Sequence, residues 1–258
     1  MIDTKNIALQ IYPSERRQNK IIVWRDSDSE ELYNENLKRF GSDWHYAKNN
    51  FSYTYNSLGY RGRELDTVED GKFFIVYGCS HTEGVGIADY ERWGDLLEGK
   101  VQLPSLNFGR GGSGPDLVHL NSLLFLKNTD KRPKFVAIQW PEITRTMYLS
   151  DSPTLMLPTS KKGPELMNFY KEFLSDNNPY NRGLIHCLTT QLFWKLAGIP
   201  TFNFYVGPGW ESVDGVIKFL PGAIDASPHL LARDLIHPGP EMNVRIANWV
   251  YENIRDKI

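Results

Sequence analysis

The chain has 258 residues, 41% hydrophobic, 13% aromatic and 23% charged; this excludes disordered, collagen-like and coiled-coil classes and suits one large α/β domain or a core with an N-terminal addition. Lys and Arg number 29 against 31 Asp and Glu, a net charge of −2, which argues against nucleic acid as a main partner because no overall positive field is available. No apolar run reaches the ~18 residues that span a bilayer, Met1 to Lys20 lacks the apolar region of a secretory signal, and two cysteines, Cys79 and Cys187, are too few for a disulfide framework or a Cys-based zinc site, so the expectation is a cytosolic protein with free thiols.

Residues 1–70 read as an N-terminal lead-in of short elements, polar and aromatic, with Trp24, Trp44, Tyr53, Tyr55 and Tyr60 but no long periodic stretch. The lead-in ends at Asn56-Ser57-Leu58-Gly59-Tyr60-Arg61-Gly62, and residues 71–258 read as the core domain. Phe73-Phe74-Ile75-Val76-Tyr77, closed by Gly78, is a short continuous apolar run, as a strand buried on both faces requires. Similar runs follow at Ser105 to Phe108, Phe135 to Ile138 and Thr201 to Val206. Helical spacing appears in Asp116 to Leu126, with Leu117, Leu120, Leu123 and Leu124 on one face. It recurs in Arg182 to Ala197, with Leu184, Leu188, Leu192 and Leu196, and in Met242 to Ile254, with Met242, Ile246, Trp249, Val250 and Ile254. Strands alternating with helices predict parallel pairing through right-handed crossovers, hence a doubly wound α/β sheet. Residues 146–180, with four prolines, read as a long insertion between core strands, a common seat of specificity.

Ligands of an open parallel sheet bind beyond the carboxyl ends of its strands, which directs attention to three segments. In Gly78-Cys79-Ser80-His81-Thr82-Glu83-Gly84, a serine on the turn after a buried strand can expose its Oγ while its own N–H faces the place where an oxyanion forms. The motif alone equally fits a turn that Ser80 merely caps, and Cys79, alternating to the other side, reads as a buried filler. The second segment, Asn107-Phe108-Gly109-Arg110-Gly111-Gly112-Ser113-Gly114, contains a formal G-x-G-x-x-G. A nucleotide site would need an acidic residue at the end of the next strand, and Asp130 lies before that strand instead. What remains is a loop of bare backbone N–H groups suited to a negative oxygen. The third segment is Asp234-Leu235-Ile236-His237-Pro238-Gly239, where an aspartate three residues before a histidine can orient its imidazole as a base. By itself a D-x-x-H pair is better explained by a turn cap and a groove-filling histidine. Together the three segments supply a nucleophile, an oxyanion site and a base with its orienter.

This ordered set resembles the SGNH/GDSL hydrolases, with Gly78-Cys79-Ser80 standing for the G-D-S of the first block, Asn107 to Gly112 for the second and Asp234 with His237 for the last. The segment Asn56 to Gly62 also looks like the stretch before the first strand in many bacterial and phage-type members. The resemblance implies a flavodoxin-like three-layer α/β/α sandwich with a mostly parallel sheet, and ester chemistry on small acyl groups. It implies Ser80, Asp234 and His237 as catalytic residues and the N–H groups of Ser80 and Gly112 as the oxyanion hole. The third block of the family, G-x-N-D, is absent: the strand ends Gln139-Trp140-Pro141-Glu142, and ionised Glu142 only accepts. Arg145 and Gln139 are the donors within sequence reach, with Arg145 the preferred replacement and a surface ion pair its alternative. His81, Trp140 and Arg110 are candidate substrate-binding residues; Trp93 and Trp210 share the option of stacking on a sugar ring, although core packing is the commoner use of tryptophan. His119 and His186 read as helix-face histidines and His229 carries no reading of its own. No His/Asp/Glu spacing suggests a metal, and no cofactor is expected. The expected activity is hydrolysis of an acetyl-type ester of a small molecule or glycan. The alternatives are O-acyl transfer by the same triad and a catalytically silent module of the same fold, as in a virion or a surface-polymer assembly; a phage-encoded or virion-associated protein is the alternative to a cytosolic one. The oligomeric state is left open.

Overall fold

In chain order, the lead-in contributes β1 (Ile21–Ile22), α1 (Glu30–Phe40), α2 (His45–Lys48) and β2 (Tyr53–Thr54). The core follows with β3 (Phe74–Gly78), α3 (Ser80–Glu83), α4 (Trp93–Val101), β4 (Ser105–Gly109), α5 (Pro115–Asn128) and β5 (Phe135–Gln139). It continues with β6 (Thr146–Tyr148), β7 (Thr154–Met156), α6 (Asn178–Leu196), β8 (Thr201–Tyr205), β9 (Lys218–Phe219) and α7 (Pro240–Ile254). The computed structural model describes residues 17–148, 154–156, 178–205, 210, 218–219 and 230–258. Most of the expected 146–180 insertion, Val206 and His229 lie outside the described residues; of the insertion, β6 and β7 form an antiparallel pair.

The central sheet has the order β4-β3-β5-β8-β9 with every neighbouring pair parallel. Counted along the chain this is 2-1-3-4-5, the flavodoxin-like order, in which the winding reverses between the first and third strands. Alternation along the strands builds two cores. Ile75, Tyr77, Leu106, Phe108, Val136 and Ile138 face Val118 and Phe125 of α5 and Cys187 and Trp194 of α6. Phe74, Val76, Phe135, Ala137, Phe202 and Phe204 face Trp93 and Leu97 of α4 and Met242, Ile246, Ala247, Val250 and Ile254 of α7. Helices on both faces of a parallel sheet give the expected three-layer α/β/α sandwich, each fully buried aliphatic or aromatic side chain contributing about 1.5–3 kcal/mol.

The expected face of α6 is corrected. Leu188, Leu192 and Leu196 are exposed, the last at 77%, whereas Cys187, Thr190 and Trp194 are buried. Trp194 offers the larger apolar area, and seating it against Tyr77 and Phe125 turns Leu188, Leu192 and Leu196 outward, while Leu184 packs on the core as expected. Pro115 at the start of α5 and Pro240 at the start of α7 occupy first-turn positions where the missing N–H costs nothing.

Candidate active site

The winding reversal places the ends of β3 and β5 side by side, and α3 begins directly after β3 with Ser80. The glycine-rich loop after β4 is laced onto that turn. Arg110 N–H donates to Gly78 O at 3.1 Å, Ser113 Oγ to Gly78 O at 3.0 Å and Asn107 Nδ2 to Thr82 O at 2.8 Å. Gly109 is required by this closeness: a Cβ there would meet the Glu83 nitrogen at 2.4 Å and the Thr82 carbonyl carbon at 2.7 Å, both backbone atoms. Among the described residues no hydrogen bond engages the N–H of Ser80 or of Gly112, the latter in the left-handed region at φ 79°.

From the other end of the chain, the 230–239 loop comes to the same rim. Arg233 N–H donates to Gly86 O at 2.9 Å, and a Cβ on Gly86 (φ 79°) would lie 2.7 Å from Ala232 Cβ and 3.3 Å from Asp234 Oδ1. The loop closes through Ala232 N–H to His237 O at 2.8 Å, with Leu235 in the left-handed region at φ 54°. A branched residue pays about 1–2 kcal/mol to sit there. The loop makes Asp234 the acceptor of three donors: Ile236 N–H (3.0 Å) and His237 N–H (3.1 Å) on Oδ1, and His237 Nδ1 on Oδ2 at 2.5 Å. Burial pushes the Asp234 carboxyl up, but these hydrogen bonds and the imidazole outweigh it and hold the pKa below the ordinary carboxylate value. An ionised carboxylate only accepts, so Nδ1 carries a proton, which leaves Nε2 as the nitrogen that can act as base.

The His81 ring lies edge-on to the His237 ring with centroids 5.7 Å apart. Burial, then the neighbouring His237 and Arg145, push the His81 pKa down to about 3 against a weaker opposing pull from Asp234. His81 is therefore neutral at pH 7, and it does not oppose a positive charge on His237. Among the described residues no hydrogen bond joins Ser80 Oγ to His237. Catalytic hydrogen bonds are often long in proteins without substrate.

The third-block replacements divide. Arg145, 25% exposed, is bound through Nε to Glu142 Oε2 at 3.1 Å, the ion pair that was its alternative reading. Gln139 is buried, its Oε1 accepting from Thr82 Oγ1 (2.8 Å) and Trp93 Nε1 (3.0 Å). Trp140 is corrected: at 3% exposure it packs on Trp210 and donates through Nε1 to Asn203 Oδ1 at 3.0 Å, so it has no face to offer a substrate. Trp93 and Trp210 are likewise core residues. Arg110 lies half-buried in the glycine-rich loop, and Cys79 is a buried free thiol. His119 and His186 are neighbours on α5 and α6, with centroids 4.9 Å apart and both pKa values lowered, foremost by burial. Among the described residues no cluster of three His, Cys, Asp or Glu could hold a metal, and no helix is long and apolar enough to cross a membrane.

Among the buried charges that escaped the sequence reading, two lie in or beside the site segments. Glu83, 1% exposed, accepts from Arg25 Nη1 (2.5 Å), Arg17 Nη1 (3.0 Å), Tyr55 OH (2.9 Å) and Gly111 N–H (2.5 Å). It joins the lead-in, α3 and the glycine-rich loop. Arg233, fully buried, is paired with buried Asp28. A glutamate three residues after a strand-end serine, and an arginine beside D-x-x-H, were the available signs; their partners lie 58 and 205 residues away in the chain.

No protein-family model matches the chain, and no curated protein matches it. Solved structures to which it is similar are esterases and lipolytic proteins. A putative lipolytic protein of the G-D-S-L family from Desulfitobacterium hafniense DCB-2 is 14% identical, over 70% of this chain and 98% of that one, with a TM-score of 0.46. A psychrotrophic esterase from Pseudoalteromonas sp. is 13% identical over 72% and 97%, with a TM-score of 0.47. A carbohydrate esterase is 13% identical over 76% and 68%, with a TM-score of 0.49. At such identities and TM-scores these likenesses carry no argument about chemistry.

Proposed function

We propose that the protein is a serine hydrolase of small acyl esters, acetyl-type in size, with Ser80 as nucleophile, His237 as base and Asp234 as its orienter. The observation that carries this reading is the 2.5 Å Asp234–His237 pair held at the strand-end rim, its ring against His81, the residue next to Ser80. Ser80 gives its proton to His237 Nε2 while Oγ attacks the ester carbonyl carbon, and the N–H groups of Ser80 and Gly112 receive the oxyanion. Collapse expels the alcohol, which takes the proton from His237, and leaves an acyl-enzyme. Water then attacks the acyl carbon as it gives a proton to His237, and collapse breaks the bond to Ser80 Oγ, which takes that proton back from His237 as the acid leaves. An acceptor alcohol in place of that water makes the same steps an O-acyl transfer. Arg145 is the remaining candidate for the donor that the third block lacks, in exchange for its Glu142 contact.

The substrate class assigned is a small-molecule or glycan ester. The silent-module alternative is favoured by one observation, the missing Ser80–His237 hydrogen bond. Turnover of an aryl acetate decides between them: Ser80→Ala and His237→Ala each reduce it to background on this reading, and wild-type protein without turnover supports the silent module.

A further inference from the structure

We propose that Arg233 is a positioning residue for the Asp234–His237 pair, and that the lead-in exists in part to hold it, through Asp28 and the faces of Trp24 and Phe51. The inference rests on the reading of Asp234 and His237 as the acid–base pair.

Every polar part of Arg233 is engaged. Its guanidinium meets the Asp28 carboxylate in a fork, Nε to Oδ1 at 2.9 Å and Nη2 to Oδ2 at 2.7 Å. Nη2 also donates to Val23 O at 2.9 Å and Nη1 to Asn50 Oδ1 at 3.3 Å. The guanidinium carbon lies 4.4 Å from the Trp24 ring centroid and 3.9 Å from that of Phe51, so two lead-in aromatics cover it. Its backbone is fixed as well, the N–H by Gly86 O and the carbonyl by Asn36 Nδ2 at 3.2 Å. Asp28 is held in turn by the Tyr53 hydroxyl, which also accepts from Gly86 N–H at 2.9 Å. The lead-in, the turn after Ser80 and the Asp234 loop therefore share one buried knot.

The residue after Arg233 is Asp234, and the residue after that is the left-handed Leu235. A turn in an unfavoured conformation keeps its shape only when its flanks are over-determined, and Arg233 is that flank. Stability alone is a poor account of the pair, because buried ion pairs are often replaced by apolar side chains without loss of stability. What a bidentate, stacked guanidinium adds is a fixed direction.

The test uses the full chain and two readouts. The first is the low-field Nδ1 proton resonance of His237, assigned by its loss in His237→Gln. The second is kcat and KM for an aryl acetate. In Asp28→Asn, in Arg233→Lys and in the apolar double variant Asp28→Leu/Arg233→Met, the resonance broadens or shifts, and kcat falls by about 10- to 10²-fold with KM unchanged. Folded variants with the wild-type resonance and wild-type kcat overturn the proposal, and so does failure of all three to fold, which would assign Arg233 to stability only. Wild type that shows the resonance but turns over no ester fails the hydrolase reading instead, and the resonance still decides the role of Arg233.

Discussion

Glu83 offers the sharpest test of how the lead-in supports the site. Glu83→Gln keeps the shape of the side chain but removes its charge and turns one acceptor oxygen into a donor. Both oxygens face donors: Oε1 faces Arg17, Arg25 and Tyr55, and Oε2 faces Gly111 N–H. Either amide orientation therefore sets an NH₂ against a donor, and Arg25 loses its buried counter-charge. Breaking a buried pair by removing one partner costs about 3–5 kcal/mol. For a chain of this size, at about 2–4 °C per kcal/mol, the melting temperature falls by about 6–20 °C. Thermal and urea unfolding measure this directly. A loss below about 1 kcal/mol would place the cluster with ordinary surface pairs and refute the assignment of Glu83 as the joint between lead-in and site.

Four further outcomes follow. Although burial pushes the Glu83 pKa up, Arg25 and Arg17 hold it below the usual carboxylate value, so its contribution is complete above about pH 4.5 and fades only in stronger acid. His81 acts at higher pH: its folded pKa of about 3 lies below the unfolded 6.5, so the unfolded chain binds the proton first and stability is lost as pH falls through 6.5. The loss is about 2 kcal/mol at pH 5, seen as a lower urea midpoint that His81→Asn restores; an unchanged midpoint from pH 7 to 5 contradicts it. Gly109→Ala drives a Cβ into the backbone of Thr82 and Glu83 and displaces α3, so it lowers the urea midpoint and aryl-acetate turnover together; a stable, fully active variant would show that the loop is not fitted to the turn. Asp234→Asn leaves the fold intact and reduces kcat by about 10⁴-fold, because an amide selects the wrong tautomer of His237; a reduction under about 10-fold would remove Asp234 from the mechanism.

Strand β3 and the Phe135 to Ile138 stretch of β5 were readable because both faces are buried and the run is continuously apolar, whereas β4 and β8 read as apolar runs interrupted by Asn107 and Asn203. The expected α5 and α7 regions fell within Pro115–Asn128 and Pro240–Ile254. The helix α4 was not recognised: Gly94 and Gly99 break its pattern, and Gly94 is there because Val76 lies 3.2 Å from where its Cβ would be. The spacing in α6 identified a helix but not its buried face, which Trp194 decides. In the lead-in, α1 carries an N-cap Ser29, acidic Glu30 and Glu31 at its start and Lys38 and Arg39 at its end. Its Tyr33, Leu37 and Phe40 share one face and pack against Trp44 and Tyr46, a short stripe that was not recognised as a helix, and its one buried residue, Asn36, is polar. The three segments assigned to the site were legible because strand-end chemistry is local. Glu83 and Arg233 were not, since a buried charge is explained by partners that only the tertiary fold supplies.

The most direct measurement is the location of a fluorophosphonate adduct by peptide mass mapping of the folded wild-type chain. A serine activated by His237 predicts one adduct, on Ser80, absent from Ser80→Ala and formed far more slowly in His237→Ala. Native protein that leaves Ser80 unmodified, or carries the adduct on another residue, would contradict the assignment.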